Sequence, residues 1–154
     1  MSRVDPDRPY TESVIIMTAV RIVAPFVLTY GLFITFHGAD TPGGGFQGGA
    51  LMGVVVLMLA FAFGARPTRE WIGNDLITGV VAGGVVIFVG VGLATIALGG
   101  AFLEYGLLEP FLGPDATKWG MEAIEIGGVA AIVAGVIMGL FFLTAAGYEG
   151  GEGR

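Results

Sequence analysis

The 154-residue chain has no cysteine, a single histidine and a single lysine, and only 13% of its residues are charged. Without cysteine there is no disulfide framework, no thiolate metal site and no cysteine nucleophile. His37 alone supplies too few nitrogen ligands for a histidine-rich zinc or haem site. A Ser-His-Asp triad would have to place its base at the end of an apolar run. Neither a catalytic residue nor a metal site is expected. Basic residues are scarce as well: seven Lys and Arg against thirteen Asp and Glu give a net charge of −6. That balance speaks against nucleic acid as partner and against a polybasic membrane-surface role.

What is present is apolar. Hydrophobic residues make up 55% of the chain, and 28 glycines add to them. Val14–Phe36, Phe46–Ala65, Leu76–Leu98 and Ile126–Ala146 together hold one charged side chain, Arg21. A bilayer core takes roughly 20 apolar residues per helix, so each run is long enough to cross. The expected fold is an all-α integral membrane protein with four transmembrane helices, over about 14–36, 46–65, 76–98 and 122–146. A soluble enzyme is excluded. Met1–Glu12 carries four Asp, Glu or Arg side chains before Glu12 and two prolines, and the run after it exceeds the roughly 7–15 residues of a signal-peptide core, so it is expected to persist as the first helix. Arg3, Arg8, Arg66, Arg69 and Arg154 flank one side of the four runs and Lys118 the other, which predicts both termini in the cytoplasm.

Within the first run, Arg21 and Pro25 stand at i and i+4. Proline lacks the N–H that would meet the carbonyl of residue 21, so a kink is expected there. Arg21 has two readings: its long stem snorkels to the interface, or it is a buried cation paired with a carboxylate of another helix. Glycines recur at four-residue steps in the later runs, at Gly45, Gly49 and Gly53, at Gly79 and Gly83, and at Gly127, Gly135 and Gly139 with Ala131 between. Such stripes let helix backbones approach closely in lipid, and three striped helices in so short a chain suggest partners from other subunits. The stretch Gly99–Glu122 mixes aromatic and acidic residues around Pro110 and Pro114, which fits an interfacial segment with its aromatics at headgroup level.

The most informative stretch joins the first two runs: Phe36-His37-Gly38-Ala39-Asp40-Thr41-Pro42-Gly43-Gly44-Gly45-Phe46-Gln47-Gly48-Gly49. Gly43, Gly45 and Gly48 formally match a dinucleotide fingerprint. That fingerprint must follow a strand and open a soluble helix, and no Lys-Ser/Thr pair follows for a P-loop, so nucleotide binding is excluded. Asp40 or Thr41 can cap the second helix. Irregular, glycine-rich backbone at membrane depth is tolerated only when buried in protein or lining a wet cavity. His37 beside it is the side chain best suited to exchange protons near neutral pH. Alternatively, His37 caps the first helix and the glycines make a tight turn.

This string, following one membrane helix and opening the second of four, resembles the MnhB family, the B-type subunits of the Mrp (also Mnh) multisubunit Na⁺/H⁺ antiporters. The resemblance implies a single membrane domain over 1–154, in a multi-pass protein of the cell membrane. It also implies assembly with other Mrp-type subunits in the lipid bilayer, no cofactor, and Na⁺ and H⁺ as the transported ions. The family's interest in the histidine, proline and phenylalanine of the loop falls on His37, Pro42 and Phe46 here. Similar subunits also serve membrane-bound hydrogenases and related respiratory complexes, and a purely structural assembly role is a further alternative. Glu122 and Glu125 share a face at the start of the fourth helix. Glu125 borders the apolar run and is either a first-turn glutamate favoured by the helix dipole or an ion ligand. Asp75 is expected as a cap, and Glu104 and Glu109 as solvated residues. The ion-path candidates are thus His37, Asp40, Pro42, Phe46, Glu125 and Arg21. The packing candidates are Gly43, Gly44, Gly45, Gly48, Gly49, Gly127, Gly135 and Gly139.

Overall fold

The computed structural model of the chain describes residues 13–38, 40 and 42–151, the last five as backbone only. Arg3, Arg8, Thr41 and Arg154 lie outside the described residues. The described chain is helical: α1 (Val14–Phe36), α2 (Gly45–Phe63), α3 (Ala65–Ile72), α4 (Asn74–Ala97), a 3₁₀ turn (Tyr105–Leu108), α5 (Glu109–Leu112), α6 (Ala116–Glu122), a π-helical segment (Ala123–Ala130) and α7 (Ala131–Gly151). Four helices among the described residues are long and apolar enough to cross a membrane: α1, α2, α4 and the continuous Ala116–Ala146.

The boundaries follow local chemistry. The Ser13 hydroxyl accepts from Ile16 N–H and starts α1. α2 stops at Phe63, two residues short of the expected span, because the chain turns at Gly64 into the short α3. Gly73, not Asp75, is the N-cap of α4; Asp75 sits inside its first turn, where an acidic residue suits the helix dipole. The last span begins at Ala116 rather than near 122, since Asp115 after Pro114 opens a helix that Lys118 and Trp119 do not interrupt. Its 31 residues run about 46 Å at 1.5 Å each, more than the roughly 30 Å of a hydrocarbon core.

The spans are arranged in the order α1, α2, last span, α4: α1 packs on α2, α2 on the last span, and the last span on α4. α1 and α2 run antiparallel and meet closely where Gly31 and Gly48 face one another's helices. A Cβ at Gly31 would lie 3.0 Å from Leu51 Cβ. Thr35 keeps its hydroxyl in this contact by donating to Gly31 O at 2.8 Å. The stripes Gly45, Gly49 and Gly53, and Gly127, Gly135 and Gly139, are consumed inside the chain. The first lies against Glu125, Ala130 and Ile137, and the second against Ile87, Val81 and Ile77 of α4. Those two stripes therefore do not require other subunits; Gly79 and Gly83 alone among the striped glycines face open space.

The connection after α4 hangs on Thr95, which is fully buried. Its hydroxyl lies 2.9 Å from both Gly92 O and Ala101 O and accepts from Leu103 N–H at 3.0 Å. Glu104, expected to be solvated, is exposed, but its Oε2 also accepts from Ala101 N–H at 2.7 Å and so closes the turn. Thr95→Val strands the Leu103 N–H and should cost about 1–3 kcal/mol, read as a lowered melting temperature in detergent, whereas Thr95→Ser should melt like the parent.

Candidate functional site

His37 ends α1. Its N–H donates to Phe33 O at 3.1 Å, its Nδ1 lies 3.0 Å from the same carbonyl, and its ring stacks on Phe33 with centroids 4.3 Å apart. The reading in which the histidine finishes the helix therefore describes its position, on the exposed rim of the glycine loop. Asp40 is not the cap of α2. Its carboxylate instead meets Lys118 Nζ of α6 at 2.8 Å, and Gly44 N-caps α2 with no side-chain bond. Gly44 has φ 114°, which side chains rarely adopt, so a glycine is required at this turn.

That turn wraps one side chain. Gly38, Gly44 and Gly45 close around Glu125 of the π segment: a Cβ at Gly38 would strike the Glu125 carboxylate, one at Gly45 its backbone carbonyl, and one at Gly44 would lie 2.9 Å from Oε1. The Glu125 Oε2 is buried and has no hydrogen-bond partner among the described residues. Helix register explains how the residue arrives there. Gly45 and Gly49 are four apart on α2, but the residues they touch, Glu125 and Ala130, are five apart on the last span. A π turn adds one residue per turn and makes these two spacings agree; such turns frequently sit at functional sites.

Around this cradle, Tyr105 packs its ring against Gly120, where a Cβ would collide with it. Partial burial first, and the Glu125 carboxylate second, hold the Tyr105 phenol above its ordinary value, so it remains a neutral hydroxyl at physiological pH. On the rim, Asp40, Pro114, Asp115, Thr117, Lys118 and Met121 line a surface groove of about 290 Å³. The Asp40–Lys118 pair spans this rim with side chains 56% and 45% exposed, so water and salt screen it strongly. Lys118→Ala should thus lower the melting temperature only slightly, and the loss should vanish in high salt.

Chemically, a buried carboxylate oxygen without a donor is costly until it takes a proton, a cation or water. No group of three or more His, Asp or Glu among the described residues is placed to hold a metal ion. What the arrangement offers is one carboxylate with an undonated, buried oxygen.

The family model described as a domain related to the MnhB subunit of Na⁺/H⁺ antiporter matches residues 15–139. The chain belongs to this MnhB family. It is similar to the B subunit of the Na⁺/H⁺ antiporter of Bacillus subtilis (strain 168), with 28% identity over 131 residues, 83% of this chain and 90% of that protein. It is also similar to the B subunit of the Na⁺/H⁺ antiporter of Alkalihalophilus pseudofirmus, with 28% identity over 93 residues, 60% of this chain and 64% of that one. With four membrane-length helices, this MnhB-family chain is a multi-pass membrane protein.

In the MnhB-family chain the candidates divide into groups. His37, Asp40, Gly43, Gly44, Gly45 and Glu125 come together at one end of the bundle. Gly43 lies against Ile34, and a Cβ there would sit 2.7 Å from Ile34 Cγ2. Pro42 is exposed, and Phe46 points outward with 63% of its surface free. Gly48 and Gly49 pack α2 against α1 and the last span, and Gly127, Gly135 and Gly139 face α4, away from the loop. Arg21 stands apart, at the end of α2 remote from Glu125, with its guanidinium 5.2 Å from the Phe63 ring centroid. A carboxylate partner on another helix is not what it meets within the described residues. Gly38, Tyr105, Lys118 and Thr95 were not among the candidates. Of these, Gly38 carried a signal, as a glycine directly after the capping histidine.

Proposed function

We propose that this chain is the B-type member of a multisubunit Na⁺/H⁺ antiporter in the cell membrane, and that Glu125 in its glycine cradle is a station on the ion path. The observation that carries the second half is the buried, undonated Oε2 held by Gly38 and Gly44. The match over residues 15–139 and the names of the relatives support the first half. His37 and the Asp40–Lys118 pair form the rim through which an ion reaches the cradle. The charge flanks support an orientation: Arg66 and Arg69 follow α2 at the end opposite the cradle, which favours that end in the cytoplasm and the glycine loop outside. One chain offers a single cradled carboxylate, so other Mrp-type subunits complete the path, with Na⁺ and H⁺ as cargo and no cofactor.

Deleting the gene should abolish Na⁺-induced collapse of ΔpH in everted membrane vesicles, and plasmid-borne chain should restore it; undiminished exchange in the deletion strain contradicts the proposal. Mild-detergent purification should bring down Mrp-type subunits. Nickel-iron or iron–sulfur partners would instead place the chain in a hydrogenase-type complex.

A further inference from the structure

We propose that Arg21 and Phe63 form a binding site for the phosphate of a membrane phospholipid. Arg21 lies seven residues into α1, so its Cα is about 10 Å below the helix start at 1.5 Å per residue. A cation left at that depth on a lipid-facing surface is costly unless it reaches polar surroundings. The residue is exposed, and α1 packs mainly on α2, leaving its other faces uncovered. The side chain is not loose: its guanidinium is 5.2 Å from the centre of the Phe63 ring, within cation–π range.

Phe63 fixes the level at which the charge is presented. It is the last residue of α2, immediately before Gly64 turns the chain into α3, whose Arg66 and Trp71 are exposed. Trp71 has 78% of its surface free, and aromatic residues of this kind gather at the headgroup layer. The guanidinium is therefore delivered from within the span to the interface, pinned on one face by the ring. The exposed guanidinium stands at the end of the bundle where Trp71 marks the headgroup layer, the layer that holds phospholipid phosphates. A planar fork of N–H donors matches phosphate oxygens bidentately, which a lysine ammonium does not. Arg69 at the same end is engaged elsewhere, donating to Phe142 O at 3.3 Å. Glu70 on α3 and Asp75 on α4 also stand at this end, so the local field is mixed and the site depends on the fork rather than on a basic patch. A carboxylate of a neighbouring protein would offer similar acceptor chemistry. The lipid is favoured because the guanidinium is held at the terminal residue of α2 and not between packed helices.

The test is native mass spectrometry of the complex purified in mild detergent from the host membrane, for the parent, Arg21→Gln, Arg21→Lys and Phe63→Leu. The parent should carry one more tightly held phospholipid per copy of this chain than Arg21→Gln, with subunit composition identical. Phe63→Leu should lose most of that occupancy although the charge remains, and Arg21→Lys should retain only part of it. Equal lipid counts in the parent and Arg21→Gln would overturn the proposal. So would loss of a neighbouring protein from Arg21→Gln with lipid counts unchanged, which would assign Arg21 to a protein carboxylate. Equal melting temperatures of the parent and Arg21→Lys complexes verify folding independently of lipid retention.

Discussion

Replacing Gly45 by valine should separate α2 from the last span and remove the chain from its complex. A side chain at this position would drive into the Glu125 carbonyl, which is backbone and cannot rotate away. Overpacking against movable side chains costs roughly 1–3 kcal/mol, and against a fixed main chain the upper value is the minimum to expect. About 3 kcal/mol corresponds to a roughly 150-fold fall in the equilibrium constant for packing. The expected result is loss of the chain from mild-detergent preparations and absence of exchange. Gly79→Val provides the contrast. Nothing lies within 4 Å of a Cβ there, so the chain's own packing should survive and its melting temperature should stay near the parent's.

Glu125→Gln is expected to do the opposite: the complex assembles and does not work. Glutamine has nearly the shape of glutamate, so the glycine cradle and the π turn remain filled. It cannot release a proton or carry negative charge. If the carboxylate is a station on the path, exchange should fall at least tenfold. Glu125→Asp separates charge from position, since the shortened side chain withdraws its oxygens from Gly44, where Oε1 now lies 2.9 Å from an added Cβ. It should assemble and exchange slowly. A structural role alone predicts the reverse order for Glu125→Gln and Glu125→Asp, because glutamine keeps the packing and aspartate leaves a gap.

Most of the architecture was legible because lipid imposes simple demands. A span must be apolar and of a certain length, so four runs nearly free of charge define four helices, and the even count brings Val14 and the end of α7 to one side. The loop motif was legible as a string, and Glu125 as a carboxylate bordering an apolar run. What linked them was not, because contact between residues 38–45 and residue 125 depends on the packing of α2 with the last span. The π turn was equally hidden: residues 123–130 read as ordinary helix, and the extra residue emerges only when the spacing on α2 is compared with its partner. The stripes illustrate the converse error. Gly135 and Gly139 announce close packing but not its partner, and α4 of the same chain takes the place that outside helices were expected to fill. Asp40 reads as a cap by local rules, yet Lys118, 78 positions away, competes successfully for its carboxylate. Arg21 was recognised as exceptional, while its ring partner, Phe63, carried no mark in the sequence beyond being the last apolar residue before Gly64.

The proposed contribution of this MnhB-family chain to cation–proton exchange is a carboxylate, and not merely a surface. The direct measurement is the initial rate of Na⁺-induced ΔpH collapse in everted vesicles that contain equal amounts of fully assembled parent or Glu125→Gln complex, quantified by subunit composition. A rate at least tenfold lower in Glu125→Gln at unchanged assembly is the expected result. An unchanged rate in the assembled variant would contradict the account and leave the glycine cradle as a packing device alone.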